Sequence, residues 1–272
     1  MNCISVKNLT FNYQEKNIFS NLNIDFHFGR CYVLAGRNGS GKSTLLRLIG
    51  GKTISPSDSI SVMNKDPFRD TTLNNKITFI NNDWGKQTIA FSGVSPLQSS
   101  LQVKEMMVKL KELYPERNKE LIDLLKINTE WRLNAVSEGQ RKRIQLYLNL
   151  IQPFDICLLD EITVNLDLLI KDKFMSYLKK ESIERNSCII YITHIFDGLS
   201  DWASDLVYLK LNKEIIVKTE IDKDKTINIY DYLLSQFKLE EKNAKDEQED
   251  INIDINLKNA GGYTSGVLIN LK

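Results

Sequence analysis

Residues 36–43, with the sequence GRNGSGKS, narrow the fold more than any other segment, because they match the pattern GxxxxGK[ST]. They directly follow the apolar run 31–35 and precede residues 44–49, whose apolar positions are typical of a helix. A strand, a glycine-rich turn and a helix in this order direct backbone N–H groups and the positive end of the helix at an anion. The segment therefore predicts a phosphate-binding loop, in which Lys42 reaches the β- and γ-phosphates and the Ser43 hydroxyl binds Mg²⁺.

Three short apolar runs predict the core of an α/β fold. Residues 31–35, 156–159 and 188–192 are apolar at nearly every position, as in parallel strands that are covered by helices on both faces. Two other segments, 2–28 and 59–82, alternate between apolar and polar residues and predict an antiparallel β-subdomain. Helical periodicity over 97–127, divided near Pro115, predicts a helical subdomain over about 85–150.

The second apolar run ends in two carboxylates, Asp160 and Glu161. Beside a phosphate loop, the first carboxylate can reach the metal ion while the second orients or activates water. The third run is followed by His194, which is either a structural histidine or a hydrogen-bonding partner of the γ-phosphate or the attacking water. Together with the glycine-rich segment, these strand ends predict a P-loop NTPase.

Composition limits the domain size and the partners that this chain is expected to have. The 272 residues include 42% hydrophobic residues, enough for one compact domain, which we place at 1–238. Charges nearly cancel, with 36 Lys and Arg against 35 Asp and Glu, so no net field draws the chain to nucleic acid or anionic lipid. No apolar stretch approaches the ~18 residues that span a bilayer, and the N-terminus lacks a signal-peptide pattern.

The cysteines and the C-terminal region complete this picture. Four widely separated cysteines, without a CxxC pair, predict core thiols in a reducing compartment, which is the cytoplasm with the nucleus left open. Residues 239–250 are almost wholly charged or polar, which favours a solvated linker over a site for a basic partner. In the tail, 251–272, alternating isoleucines and a glycine pair predict a β-hairpin.

A fourth motif narrows the class. Residues 136–140, VSEGQ, precede a helical pattern at 141–150 and lie between the phosphate loop and Asp160. Ser137 is a good helix N-cap in any protein. In this position, however, the segment resembles the ABC signature LSGGQ, with Val136 for Leu and Glu138 for the first Gly. The chain resembles ABC ATPases over residues 3 to about 218.

That resemblance implies a set of site residues and the cofactors ATP and Mg²⁺. The residues it assigns to the nucleotide are Tyr13, Gly36, Arg37, Asn38, Gly39, Ser40, Gly41, Lys42, Ser43, Thr44, Ser137, Gly139 and Gln140. The metal is assigned to Ser43, Asp160 and Asn82, and the catalytic step to Glu161 and His194. Asn82 stands where most members carry the longer Gln, and Tyr13 either stacks on adenine or packs in the core.

Three further stretches, 131–133, 160–167 and 193–199, resemble the soluble ABC ATPases of the fungal NOT-complex-associated type and their plant ABC I relatives. Most transporters carry Pro and Ser where this chain has Ile162 and Val164. The resemblance implies a homodimer without a fused membrane domain, and a client protein in a transcription-regulatory complex. A separately encoded ATPase of a membrane transporter is the alternative, whereas a nucleic-acid-bound factor fits poorly with a single cassette that lacks a basic excess.

Overall fold

The computed structural model describes residues 2–56, 58–82, 84, 100–163, 166–211, 215–218, 221 and 228–242. The chain divides into two compact units, Met1–Ile229 and Tyr230–Lys272. The second unit is described only over 230–242, which is helical. That helix includes 239–242, where the sequence predicted the start of a linker, and the predicted hairpin at 251–272 lies outside the described residues.

Nine strands in the described residues form two sheets. They are β1 (Asn2–Tyr13), β2 (Lys16–His27), β3 (Cys31–Ala35), β4 (Ile60–Val62), β5 (Ile77–Ile80), β6 (Ile156–Asp160), β7 (Cys188–Ile192), β8 (Asp205–Leu209) and β9 (Ile215–Lys218). The larger sheet has the order β5-β6-β7-β3-β8-β9, and the smaller one has the order β2-β1-β4.

The larger sheet is the predicted parallel core. Its first five strands run parallel, and β9 adds an antiparallel edge. Every residue of β3 and β7 is buried, because helices and the smaller sheet cover the apolar runs. All four cysteines are buried and free, as predicted for core thiols.

One predicted strand belongs to the other sheet. Residues 59–82 were expected to be antiparallel throughout, and β4 does pair antiparallel with β1. Strand β5, however, pairs parallel with β6, with Ile77 opposite Ile156. As an edge strand it is only partly buried, so its short apolar run lacks the pattern of a fully buried strand.

Six α-helices are described in the first unit. They are α1 (Lys42–Ile49), α2 (Val108–Leu113), α3 (Pro115–Leu125), α4 (Glu138–Leu150), α5 (Leu168–Glu184) and α6 (Leu199–Trp202). Pro115 occupies the first turn of α3, where its missing N–H costs nothing, and it divides α2 from α3 as expected. Residues 85–99 of the predicted helical subdomain lie outside the described residues. The helix predicted from residue 97 onward is wrong for 100–107, which contain only a 3₁₀ turn at Val103–Glu105, because the N–H groups of Val103 and Lys104 donate to carbonyls of residues 129–131 instead of to a preceding helical turn.

The order of the core strands determines where the site lies. Strands β6, β7 and β3 are neighbours and run parallel, so their carboxyl ends meet at one edge of the sheet. The glycine-rich segment follows β3, the two carboxylates end β6, and His194 follows β7. This edge is where α/β proteins of this type bind their ligands.

Candidate functional site

Lys42 lies folded back across the glycine-rich segment. Its Nζ donates to the carbonyl oxygens of Gly36 at 2.8 Å and Arg37 at 3.0 Å, and the residue is only 6% exposed. Burial lowers the pKa of this ammonium, and the nearby charges of Glu161 and Asp160 act in the opposite direction. The loop therefore contains a poorly hydrated cation whose present partners are neutral carbonyls, and an anionic phosphate is a stronger partner.

Residues of the loop and of β2 line an open pocket. Its volume is about 260 Å³, and its walls are Lys16, Ile18, Asn38, Gly39, Gly41, Lys42, Ser43, Thr44 and Glu161. Ser40 is buried beside it, and its Oγ has no hydrogen-bond partner among the described residues. A buried hydroxyl without a partner, a cation and the N-terminus of an eight-residue helix suit the phosphates of a nucleotide.

Two glycines of the loop differ in what surrounds them, which gives a matched test. A Cβ at Gly36 would overlap the carbonyl oxygen of Leu209 and lie 2.7 Å from Ser40 Oγ, whereas a Cβ at Gly39 would meet nothing within 4 Å. Gly39→Ala therefore adds only the cost of a positive φ, about 1 kcal/mol. Gly36→Ala should destabilise the fold by about 3 kcal/mol, because backbone must move. Urea unfolding of both variants checks this, and equal losses would contradict it.

Asp160 and Ser43 meet at the predicted metal position. Burial raises the pKa of the Asp160 carboxyl, and the Glu161 charge raises it further, while a hydrogen bond from the Ser43 hydroxyl and the charges of Arg47 and Lys42 lower it. A hydroxyl and a carboxylate that share this position are hard oxygen ligands of the type that Mg²⁺ takes together with substrate phosphates. The pair fits the ion.

Glu161 contacts His194 and has an unusual backbone. Glu161 Oε1 lies 2.8 Å from His194 Nε2, and both side chains are partly exposed. Its φ is 53°, in the left-handed region that few non-glycine residues adopt. The N–H donates to the Ile192 carbonyl at 3.0 Å, and its own carbonyl accepts from Asn82 Nδ2 at 3.1 Å. Two backbone hydrogen bonds thus stabilise a conformation that aims the carboxylate at the pocket.

Both the nitrogen and the oxygen of the Asn82 side-chain amide form hydrogen bonds within the protein. Besides its bond to Glu161, its Oδ1 accepts from Lys142 Nζ at 2.8 Å. Direct coordination of a metal by Asn82 therefore remains a prediction, and it would require this oxygen to exchange or share its partner.

The VSEGQ segment forms the start of α4. Ser137 Oγ accepts from the N–H of Gln140 at 3.2 Å, and Gln140 Oε1 accepts from the N–H of Ser137 at 2.9 Å, which is a capping box. Ser137 is exposed, and neither Ser137 nor Gly139 is among the residues that line the loop pocket. The signature therefore lies outside the pocket that one copy of the chain forms.

Tyr13 is on the surface and does not line this pocket. It is 44% exposed at the end of β1, and its ring packs edge-on against Phe11 with centroids 5.0 Å apart. The exposed ring is unlike a core residue, and its stacking on adenine stays a prediction.

Sequence reasoning missed several polar residues around the site. Lys142 is one, and a pair of buried hydroxyls behind Glu161 is another, with Thr163 Oγ1 and Tyr191 OH 2.5 Å apart. Burial raises the pKa of Tyr191, so its hydroxyl stays neutral. A tyrosine inside the otherwise aliphatic run of β7 was a signal of a buried hydrogen bond, whereas Lys142 looks like any helix lysine.

A glycine-rich loop between a parallel strand and a helix, with paired acids at the end of a neighbouring strand, defines a P-loop nucleotide hydrolase. Comparison with known proteins identifies the family of P-loop hydrolases to which the chain belongs. The ABC transporter family matches residues 19–164. The chain belongs to this family of ATP-binding cassettes and is an ATP hydrolase that uses ATP and Mg²⁺.

Individual relatives agree with this assignment. ABC transporter I family member 21 of Arabidopsis thaliana is 36% identical, with 85% of this chain and 83% of that protein covered. CCR4-associated factor 16 of Saccharomyces cerevisiae is 32% identical, with 81% and 80% covered. The dimeric structure of a bacterial ABC transporter cassette has the same fold, with a TM-score of 0.65, 22% identity, and coverage of 79% of this chain and 98% of that one. The described helices include none that is both long and apolar enough to cross a bilayer.

Proposed function

We propose that the chain hydrolyses ATP at the interface of a homodimer, where the phosphate loop of one copy meets the signature of the other. The observation that carries the proposal is the position of Ser137, exposed at the start of α4 and outside the pocket around Lys42. A nucleotide bound in that pocket is open to solvent on one side, and a second copy can supply the missing wall. A relative of the same fold was solved as a dimer, which supports this arrangement.

The residues of one copy have distinct tasks in this proposal. Lys42 and the loop N–H groups bind the phosphates, and Ser43 and Asp160 hold the Mg²⁺, which neutralises charge on the phosphates when it is bound. Glu161 orients the attacking water and accepts its proton, and His194, which contacts Glu161, hydrogen-bonds the γ-phosphate or that water. Tyr13 stacks on adenine, and Ser137, Gly139 and Gln140 of the second copy approach the γ-phosphate.

For the biological role, we propose that ATP-driven closure and opening of this dimer drives or times a protein assembly in the cytoplasm or nucleus. The yeast relative is named for its association with CCR4, which supports a client in gene regulation. Ile162 stands where most transporters carry Pro, and it is buried. This departure favours a role outside transport. The Arabidopsis relative is named as an ABC transporter, and this favours a transporter subunit as the second candidate.

In domain terms, the proposal assigns 1–238 to the nucleotide-binding domain, 239–250 to a linker and 251–272 to a tail. The described part of the chain supports the first assignment most directly, because β1 to β9 and α1 to α6 all fall within it.

Purification of the tagged chain from its own detergent-solubilised cells tests the role. The Glu161→Gln variant is loaded with ATP. The Lys42→Ala variant, which lacks the lysine proposed to bind the phosphates, is the matched control. We expect proteins that lack membrane-spanning segments to co-purify with Glu161→Gln and not with Lys42→Ala, because closure of the dimer depends on ATP. A stable complex of the first variant with a multispanning membrane protein would favour the transporter role instead.

A further inference from the structure

We propose that Lys142 and Asn82 are positioning residues for ATP hydrolysis, which together fix the backbone of Glu161 and connect it to the signature helix α4 of the same copy. This proposal rests on the role of Glu161 in the function proposed above. It assigns Lys142 a task in the reaction, and it gives Asn82 a task other than metal binding.

Two hydrogen bonds hold the backbone of Glu161 in an uncommon conformation. Its φ of 53° lies in the left-handed region, which is strained in a non-glycine residue. Such a conformation persists where hydrogen bonds on both sides define it. The bond from Glu161 N–H to Ile192 comes from the neighbouring strand, but the bond to the Glu161 carbonyl comes from the side chain of Asn82. Loss of the second bond would leave the carboxylate free to swing away from the pocket.

Lys142 orients the side-chain amide of Asn82. An amide can point either way, but only one orientation lets its NH₂ donate to the Glu161 carbonyl while its oxygen accepts from an ammonium. Lys142 Nζ supplies that ammonium at 2.8 Å. A flipped amide would place its NH₂ against the lysine and its oxygen against the carbonyl, so both contacts would be lost together.

Lys142 lies on α4, the helix that begins at the signature. It is 7% exposed, and Gln145, one turn further along α4, donates to the Asn81 carbonyl at 2.7 Å. Helix α4 thus contacts residues 81 and 82 at two points of one face. Because α4 starts at Ser137, a displacement of the signature against the partner's nucleotide reaches Glu161 through Lys142 and Asn82.

Lys142→Met tests the connection, since methionine retains most of the buried length and removes the charge. We expect kcat to fall about tenfold to a hundredfold, as for a misplaced catalytic group, with ATP affinity and the Mg²⁺ requirement unchanged. Lys109→Met, on the exposed surface of α2, is the matched control and should behave as wild type. An unchanged kcat, or a kcat that falls only with ATP affinity, would overturn the proposal.

Two further variants separate this proposal from a general loss of structure. Asn82→Asp keeps a partner for Lys142 but lacks the donor to Glu161, so it should lower kcat as Lys142→Met does, even if Lys142→Met folds poorly. In a Glu161→Gln chain, Lys142→Met should lower the residual rate no further, because both changes act on one group. Additive losses would contradict the proposal. If Glu161→Gln alone leaves hydrolysis intact, then the proposed function fails, whatever Lys142→Met does.

Discussion

Replacement of Glu161 by glutamine is expected to lower the rate of ATP hydrolysis by about 10²-fold to 10⁴-fold, the range for loss of a general base. Glutamine retains the shape of the side chain and can still contact His194, but it cannot accept a proton from water. Asp160 and Ser43, which we assign to the metal, are untouched, so ATP and Mg²⁺ should still bind. Phosphate release under saturating ATP measures the first effect, and equilibrium binding of nucleotide measures the second.

The same substitution at Glu116, exposed on α3, is the control for removing one carboxylate from the chain. It should hydrolyse ATP at the wild-type rate. A Glu161→Gln chain that turns over normally would show that another group activates water. One that loses ATP binding as strongly as hydrolysis would place Glu161 in the binding of nucleotide or metal instead.

Lys42→Ala should lower the affinity for ATP by about a hundredfold or more, because a charge-assisted contact to the phosphates is lost in a poorly hydrated loop. Lys42 Nζ donates to the carbonyls of Gly36 and Arg37, which are neutral partners, and burial lowers the pKa of its ammonium. The fold should therefore remain, as thermal unfolding would show. Titration with a fluorescent ATP analogue measures the affinity.

Lys52→Ala provides the comparison for this second prediction. Lys52 is exposed just after α1, so the variant loses the same charge close to the loop without touching it. Its affinity should match that of wild type. Wild-type affinity in a folded Lys42→Ala chain would remove the basis for assigning the glycine-rich segment to phosphate.

Much of the fold could be predicted because local pattern and final environment agree. Strands β3 and β7 are apolar at each position and become fully buried, and the loop after β3 has the backbone freedom that its glycines suggest. Strand β5 could not be assigned in the same way. Its four residues carry no information on which of two sheets they will join, and parallel pairing with β6 depends on residues about eighty positions away.

The site residues likewise include some that the local sequence predicts and others that depend on distant parts of the chain. Motif positions that lie at strand ends, such as Asp160 and His194, come together because the sheet aligns those ends. Lys142 was not predicted, because its partner Asn82 is 60 positions away and a lysine on a helix is ordinarily exposed. Asn82 was expected at the metal from resemblance alone, and only the folded chain shows that its amide joins Lys142 to Glu161.

Size-exclusion chromatography of the Glu161→Gln chain, with and without ATP and Mg²⁺, tests most directly the claim that two copies share each nucleotide. We expect a dimer with ATP, since the unhydrolysed nucleotide connects the loop of one copy to the signature of the other, and a monomer without it. A chain that carries both Glu161→Gln and Ser137→Arg should bind ATP and remain monomeric, because the bulky cation blocks the signature and leaves the phosphate loop intact. A dimer that forms equally well without nucleotide, or that survives the change at Ser137, would contradict the shared site.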